Sequence, residues 1–158
     1  MFLAAVLAGG AVVIAQDLRP QTTSFQHVTA AAGASSPTAA AGATVMLWAD
    51  VTPRPHIHVY APGAKDFAPP KIVVTPHSLL TVGKPIFPTG TLTALPGVSA
   101  RVPVYSKTFR ITQPVTLAAK APRGGAVIIA ATLSYQACDD AVCYPPASLP
   151  LFWRIGVN

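Results

Sequence analysis

The chain has 158 residues, 51% hydrophobic and 10% charged, with a net charge of +6, 17 prolines and no glutamate. That length suits one domain with some to spare, and the prolines argue against long helices, because each removes a donor and clashes inside a helix. The eleven Lys and Arg are scattered singly between Arg19 and Arg154, without the run or stripe that phosphate tracking requires, so nucleic acid is not an expected partner.

In chain order, the first fifteen residues, MFLAAVLAGGAVVIA, are apolar and stop at Gln16. A helix of that length is too short to span a bilayer, which needs about 20 residues. Residues 1–15 fit the apolar region of a secretory signal, with a small-residue cleavage site at Val13-Ile14-Ala15. The basic stretch that usually precedes it is missing. That leaves a truncated start or an uncleaved N-terminal anchor, which would be the chain's one contact with a membrane. Export would place the cysteines in an oxidising compartment. Residues 16–43 read as a linker: a polar stretch from Asp17 to Val28, then the low-complexity TAAAGASSPTAAAGA of 29–43, with little apolar bulk to bury.

The folded domain is expected over 44–158, where the hydrophobic period is two. In TVMLWADV, Val45, Leu47, Ala49 and Val51 share one face while Met46 and Trp48 fall on the other. KIVV (71–74), PVTLAAK (114–120), AVIIAATLSYQAC (126–138) and LPLFWRIGV (149–157) are further strands. Turn signals punctuate them at Pro53, Pro62-Gly63, Pro76, Gly83, Pro96-Gly97 and Gly124-Gly125. Short strands at this spacing predict an all-β, immunoglobulin-like antiparallel β-sandwich. The strand over 126–138 delivers Cys138 at its end and the last strand starts just after Pro145-Pro146. The intervening loop therefore joins neighbouring strands at one end of the sandwich, where functional loops usually sit.

That loop, YQACDDAVCYPP, holds both cysteines of the chain. A bridge from Cys138 to Cys143 closes about six residues, and chain entropy assigns such a loop roughly 2 kcal/mol, near the bottom of the usual range. A zinc site needs about four ligands; two thiols with no nearby histidine do not supply them, and no metal or other cofactor is expected. A redox-active pair and a local staple both remain open on these grounds. Asp139 and Asp140 disfavour a thiolate close by, which a carrier tolerates when its disulfide is attacked by a partner's thiolate. Tyr135 and Tyr144 are positioned to pack beside the sulfurs, and Pro145-Pro146 to hold the loop exposed.

The segment SYQACDDAVCYPP resembles the cysteine segment of the N-terminal periplasmic domain of the thiol–disulfide interchange protein DsbD: a strand ending Tyr-Gln-x-Cys, a short acidic loop, then Cys-Tyr-Pro-Pro. Weaker resemblance runs back through VPVYSKTF and HIHVYAP, and covers roughly 44–157. It implies an immunoglobulin-like sandwich in the periplasm that takes electrons from a thioredoxin-like or membrane donor. The domain would pass them to periplasmic disulfide proteins, cytochrome c maturation factors among them, as one component of a protein-disulfide reductase. By the same resemblance Cys138 and Cys143 are the redox pair, and Cys143 enters the mixed disulfide with partners. His58 and Tyr60 fall where that family has aromatic residues near the cysteines.

Three departures stand out. Asn158 follows directly on the sandwich, so a stand-alone version of the domain that takes electrons from another protein, or a degenerate relative, is expected. The cysteines are separated by four residues, one fewer than the usual form. The segment expected to cover the sulfurs, RVPVYSK (101–107), carries Val102, Pro103 and Val104 in place of acidic and aromatic residues. The cover is therefore expected to be loose, with Tyr105 filling part of the gap, Arg101 and Lys107 pairing with Asp139 or Asp140, and a wider side chain at Val104 closing it. The alternative to the redox reading is a non-catalytic interaction domain whose local disulfide only shapes a binding loop.

His56 and His58 lie on one strand face, two residues apart. Such a pair can bind copper or zinc, but no third ligand is visible nearby, so they read as partly exposed strand histidines. Trp48 and Trp153 read as core. No nucleophile elbow marks a hydrolase.

Overall fold

The computed structural model describes residues 21–158 except Pro96, so the segment read as a signal or anchor lies outside the described residues. Among the described residues thirteen strands follow one another: β1 Gln21–Phe25, β2 Val28–Ala34, β3 Thr38–Ala39, β4 Thr44–Pro53, β5 His58–Tyr60, β6 Lys71–Val74, β7 Leu80–Val82, β8 Thr91–Thr93, β9 Val102–Tyr105, β10 Phe109–Leu117, β11 Ala126–Tyr135, β12 Ala137–Cys138 and β13 Ala147–Val157. There is no helix among the described residues. The chain is an all-β, immunoglobulin-like sandwich whose pairings are antiparallel apart from the short parallel contact of β3 with β13.

One face of the sandwich is a five-stranded sheet, β1-β2-β4-β10-β7, and the other is β3-β13-β11-β6. Their inner faces are built by the expected alternation. Val45, Leu47, Ala49 and Val51 of β4 point inward with Ile111, Val115 and Leu117 of β10; Ile129, Leu133, Leu149, Leu151 and Trp153 oppose them from β11 and β13. A third sheet, β12-β5-β9-β8, continues the sandwich from the ends of β4 and β11 and the start of β10.

The structure corrects the linker reading of 16–43 wherever those residues are described. Residues 21–39 carry three strands, and β2 pairs along its length with β4, from Val28 opposite Pro53 to Ala34 opposite Leu47. Val28, Ala30 and Ala32 are buried. Small side chains suffice here because the neighbouring strand supplies the bulk. Gly33 lies opposite Trp48, and a Cβ at that glycine would fall 2.3 Å from the indole ring. An Ala/Gly-rich composition thus marks a strand that makes room for its neighbour. The folded unit accordingly begins well before Thr44.

Trp153 is core, as expected, and its Nε1–H donates to the Trp48 carbonyl at 3.2 Å. Trp48 is not: it lies half-buried on the outer face of its sheet, with the Arg110 guanidinium 4.4 Å from its ring centre. Arg110 in turn makes a two-point ion pair with Asp50, at 2.6 and 2.7 Å.

The strand expected over 126–138 is two strands. β11 ends at Tyr135, and after Gln136 the chain resumes as β12 in the third sheet, with Cys138 opposite His58. The loop between the cysteines does join adjacent partners, since Tyr135 at the end of β11 pairs with Ala147 at the start of β13.

Candidate redox site

The third sheet separates two apolar clusters, and the period of two decides which residue faces which. Val59, Tyr105 and Ala137 face the main core; their chain neighbours Tyr60, Val104 and Cys138 face a small second cluster with Ala64, Leu95 and Val102. Cys138 is therefore delivered into an apolar nest, 1% exposed. Cys143, joined to it by a disulfide, lies on the exposed side of the loop beside the exposed Val142.

The loop is a tight turn closed by its own side chains. The Asp139 N–H donates to the Val142 carbonyl at 2.9 Å, and the Tyr144 N–H to the Ala137 carbonyl at 2.8 Å. The Asp139 carboxylate accepts from the amides of Ala141 and Val142, both at 2.8 Å, and from the Tyr144 hydroxyl. Short polar side chains favour turns through such local bonds. The Tyr144 hydroxyl, followed by the two amides, holds the Asp139 carboxyl down at about 2, and the same contact with Asp139 pushes the Tyr144 phenol up. Asp140 is exposed and lies 3.5 Å from both His56 and His58. The other ring nitrogen of His58 meets the Ser106 hydroxyl at 2.7 Å.

Of the residues singled out from sequence, Tyr60 is closest to the chemistry. Its hydroxyl lies 2.6 Å from the Cys138 sulfur and 3.1 Å from that of Cys143. Burial pushes its phenol up. Val104 packs in the same small cluster, while His58 and Asp140 form the rim. Two tyrosines are not at the sulfurs. Tyr105 stacks on Phe109, ring centres 3.9 Å apart, and donates to the Pro88 carbonyl; burial pushes it up to about 12. Tyr135 is buried in the main core, which raises its phenol as well. Both follow from the alternation, which turns them to the face opposite Cys138. Tyr144 stacks on His27 with ring centres 3.9 Å apart and turns its hydroxyl to Asp139.

The expected covering loop at 101–107 is also corrected. Val102–Tyr105 is strand β9, paired on both sides, with Val104 opposite Tyr60 and Thr91. Its valines are the floor of the small cluster. The segments packed over it are those of Ala64 and Phe67 and of Leu95 and Val98. Phe67 stacks on Tyr60 with centres 4.0 Å apart. The ring nitrogens within 3.5 Å of the Asp140 carboxylate are those of His56 and His58, not side chains of Arg101 or Lys107.

Two residues with positioning roles escaped the sequence reading. Phe67 sits in a Pro-rich turn with no periodicity to flag it. Gln136 accepts from the Ala68 N–H at 2.9 Å and donates to the Tyr144 carbonyl at 3.1 Å, while its own carbonyl takes the Tyr60 N–H at 3.1 Å. It ties the Phe67 segment, the Tyr60 strand and the exit of the cysteine loop together. The Tyr-Gln pair before Cys138 was the available signal.

The fold and the site define a class: a β-sandwich domain with a local disulfide at one end, one sulfur buried and the other open to solvent. The sequence profile of the family described as thiol:disulfide interchange protein DsbD, N-terminal, matches residues 25–149, and the chain belongs to that family. Among solved structures it is similar to the N-terminal periplasmic domain of ScsB from Proteus mirabilis, with a TM-score of 0.61 and 16% identity over 87% of this chain. It spans about half of that longer chain, 51%. The N-terminal domain of Neisseria meningitidis DsbD in the reduced form aligns with a TM-score of 0.45 and 22% identity, over 72% of this chain and 78% of that one. The GAE domain of yeast GGA1 aligns with a TM-score of 0.43 and 9% identity, over 82% and 94%. No curated protein matches the chain.

Proposed function

We propose that this domain relays reducing equivalents by thiol–disulfide exchange through Cys138 and Cys143, in the periplasm, between a thioredoxin-like or membrane donor and periplasmic disulfide proteins. The observation that carries the reading is the asymmetry of the pair: Cys138 is 1% exposed and Cys143 is open to solvent. Exchange requires in-line access to one sulfur and a leaving group at the other. A partner thiolate attacks the Cys143 sulfur, the bond to Cys138 breaks, and Cys138 leaves with the electron pair as a thiolate. The partner's second thiol then attacks its own sulfur in the mixed disulfide and releases Cys143 as a thiolate. The reverse sequence delivers two electrons to a substrate disulfide. No cofactor takes part.

The surface beside Cys143 offers a place for a partner to rest. A groove of about 650 Å³ is lined by Gln26, His27 and the run Tyr144–Ser148. Membership of the family supports the exchange chemistry.

The test is direct. The oxidised domain is incubated with a reduced thioredoxin-like donor and the free thiols are alkylated. Reduction of both cysteines is expected, and Cys138→Ser should trap a mixed disulfide through Cys143. If the pair stays oxidised while the donor reduces other proteins, the disulfide is only a staple. Trapping through Cys138 alone, in Cys143→Ser, would reverse the two roles.

A further inference from the structure

Cys138 must leave as an anion from one of the most apolar places in the domain. Cys138 is buried in one cluster with Val102, Val104, Leu95 and Ala64, surroundings that by themselves raise a thiol's pKa and make it a poor leaving group. The loop's charges do not offset this. The Asp139 carboxylate is turned to the Tyr144 hydroxyl and the amides of Ala141 and Val142. His58, opposite Cys138 in the sheet, points its ring nitrogens at Ser106 and Asp140. His56 faces Asp140 as well. The polar group aimed at the sulfur is the Tyr60 hydroxyl, 2.6 Å away, on a fully buried side chain held by stacking on Phe67.

We propose that Tyr60 is a catalytic hydrogen-bond donor that stabilises the Cys138 thiolate as it leaves Cys143. The proposal rests on the exchange reading above. In the disulfide the hydroxyl has two weak sulfur acceptors, at 2.6 and 3.1 Å. As the partner's sulfur bonds to Cys143 and the Cys143–Cys138 bond breaks, the negative charge arrives on Cys138 and the donor is already in place. The interaction is thus stronger in the transition state than before it, which is the condition for accelerating the step. Proton bookkeeping favours donation over transfer. An ordinary phenol titrates near 10 and an ordinary thiol near 8.5; burial moves the phenol further up as it does the thiol, so the order of the two is kept. Tyr60 therefore keeps its proton while hydrogen-bonding to the thiolate. In the return step the same bond keeps Cys138 ionised for attack on the Cys143 sulfur.

The experiment uses the Cys143→Ser chain, in which Cys138 titrates alone, and follows thiolate absorbance against pH with Tyr60 and with Tyr60→Phe. Phenylalanine keeps the ring and its stack on Phe67. A hydrogen bond to a charged group corresponds to about tenfold or more in an equilibrium, so the Cys138 midpoint should rise by about one pH unit in Tyr60→Phe. Reduction of the intact disulfide by dithiothreitol should slow by about tenfold. Site-specific 4-aminophenylalanine at position 60, a weaker donor of nearly the same shape, should raise the midpoint part of the way, and it serves if Tyr60→Phe does not fold. An unchanged midpoint in either replacement overturns the proposal. These measurements use no protein partner, so they stand apart from the exchange reading, which fails if a thioredoxin-like donor leaves the wild-type pair oxidised.

Discussion

The Tyr144 hydroxyl donates to the Asp139 carboxylate across the neck of the cysteine loop, five residues apart in sequence and on either side of Cys143. The contact is local, and it ties the shape of the loop to the charge on one carboxylate. Asp139 is held at about 2 against an ordinary 3.8. Its folded-state value is depressed, so its contribution is full above about pH 4 and is lost as pH falls from there through about 2. The carboxyl carbon of Asp139 should titrate near 2 by NMR, and Tyr144→Phe should move that midpoint up toward 3.8. A midpoint near the ordinary value in the wild type would mean the loop is not closed this way in solution.

Gln136 is expected to matter more for stability than its half-buried position suggests. Gln136→Ala leaves the Ala68 N–H and the Tyr144 carbonyl without their partner. Losing one side of such bonds costs about 1–3 kcal/mol. The urea midpoint should fall accordingly, and hydrogen exchange should quicken at Ala68. A variant as stable as the wild type, with Ala68 still protected, would show that the clamp is dispensable.

Val104 is 1% exposed on a strand paired on both sides. Val104→Phe therefore overpacks the small cluster and should destabilise the domain by about 1–3 kcal/mol. It should not slow reduction of the disulfide by acting as a lid. Unchanged stability with markedly slower reduction by a small thiol would restore the covering role to this position.

Gly33 lies against the Trp48 indole, where an added Cβ would stand 2.3 Å from the ring. Gly33→Ala should cost about 1–3 kcal/mol by forcing the ring off its place, along with its contact to Arg110. The cost should shrink when Trp48→Ala is already present, because the two residues are in contact. Equal costs in both backgrounds would locate the strain elsewhere.

Much was legible in the sequence. Alternation in 44–51, 126–135 and 149–157 is enough to place strands and their buried faces, because on a half-buried sheet only one of two faces can be apolar. The local motif around Cys138 and Cys143 was readable for the same reason that a short loop closes on itself: its contacts are near in sequence. Residues 29–34 misled because composition was read in isolation. Alanines pack only when a neighbouring strand brings the bulk, and here β4 does so. The site beyond the loop was decided by tertiary structure. Tyr60 meets Cys138 across 78 residues and Gln136 meets Ala68 across 68. Whether Tyr105 or Val104 faces the sulfurs depends on the register of β9 against β5. A shift of one residue there would exchange the two faces, and no spacing within either segment specifies the pairing between them.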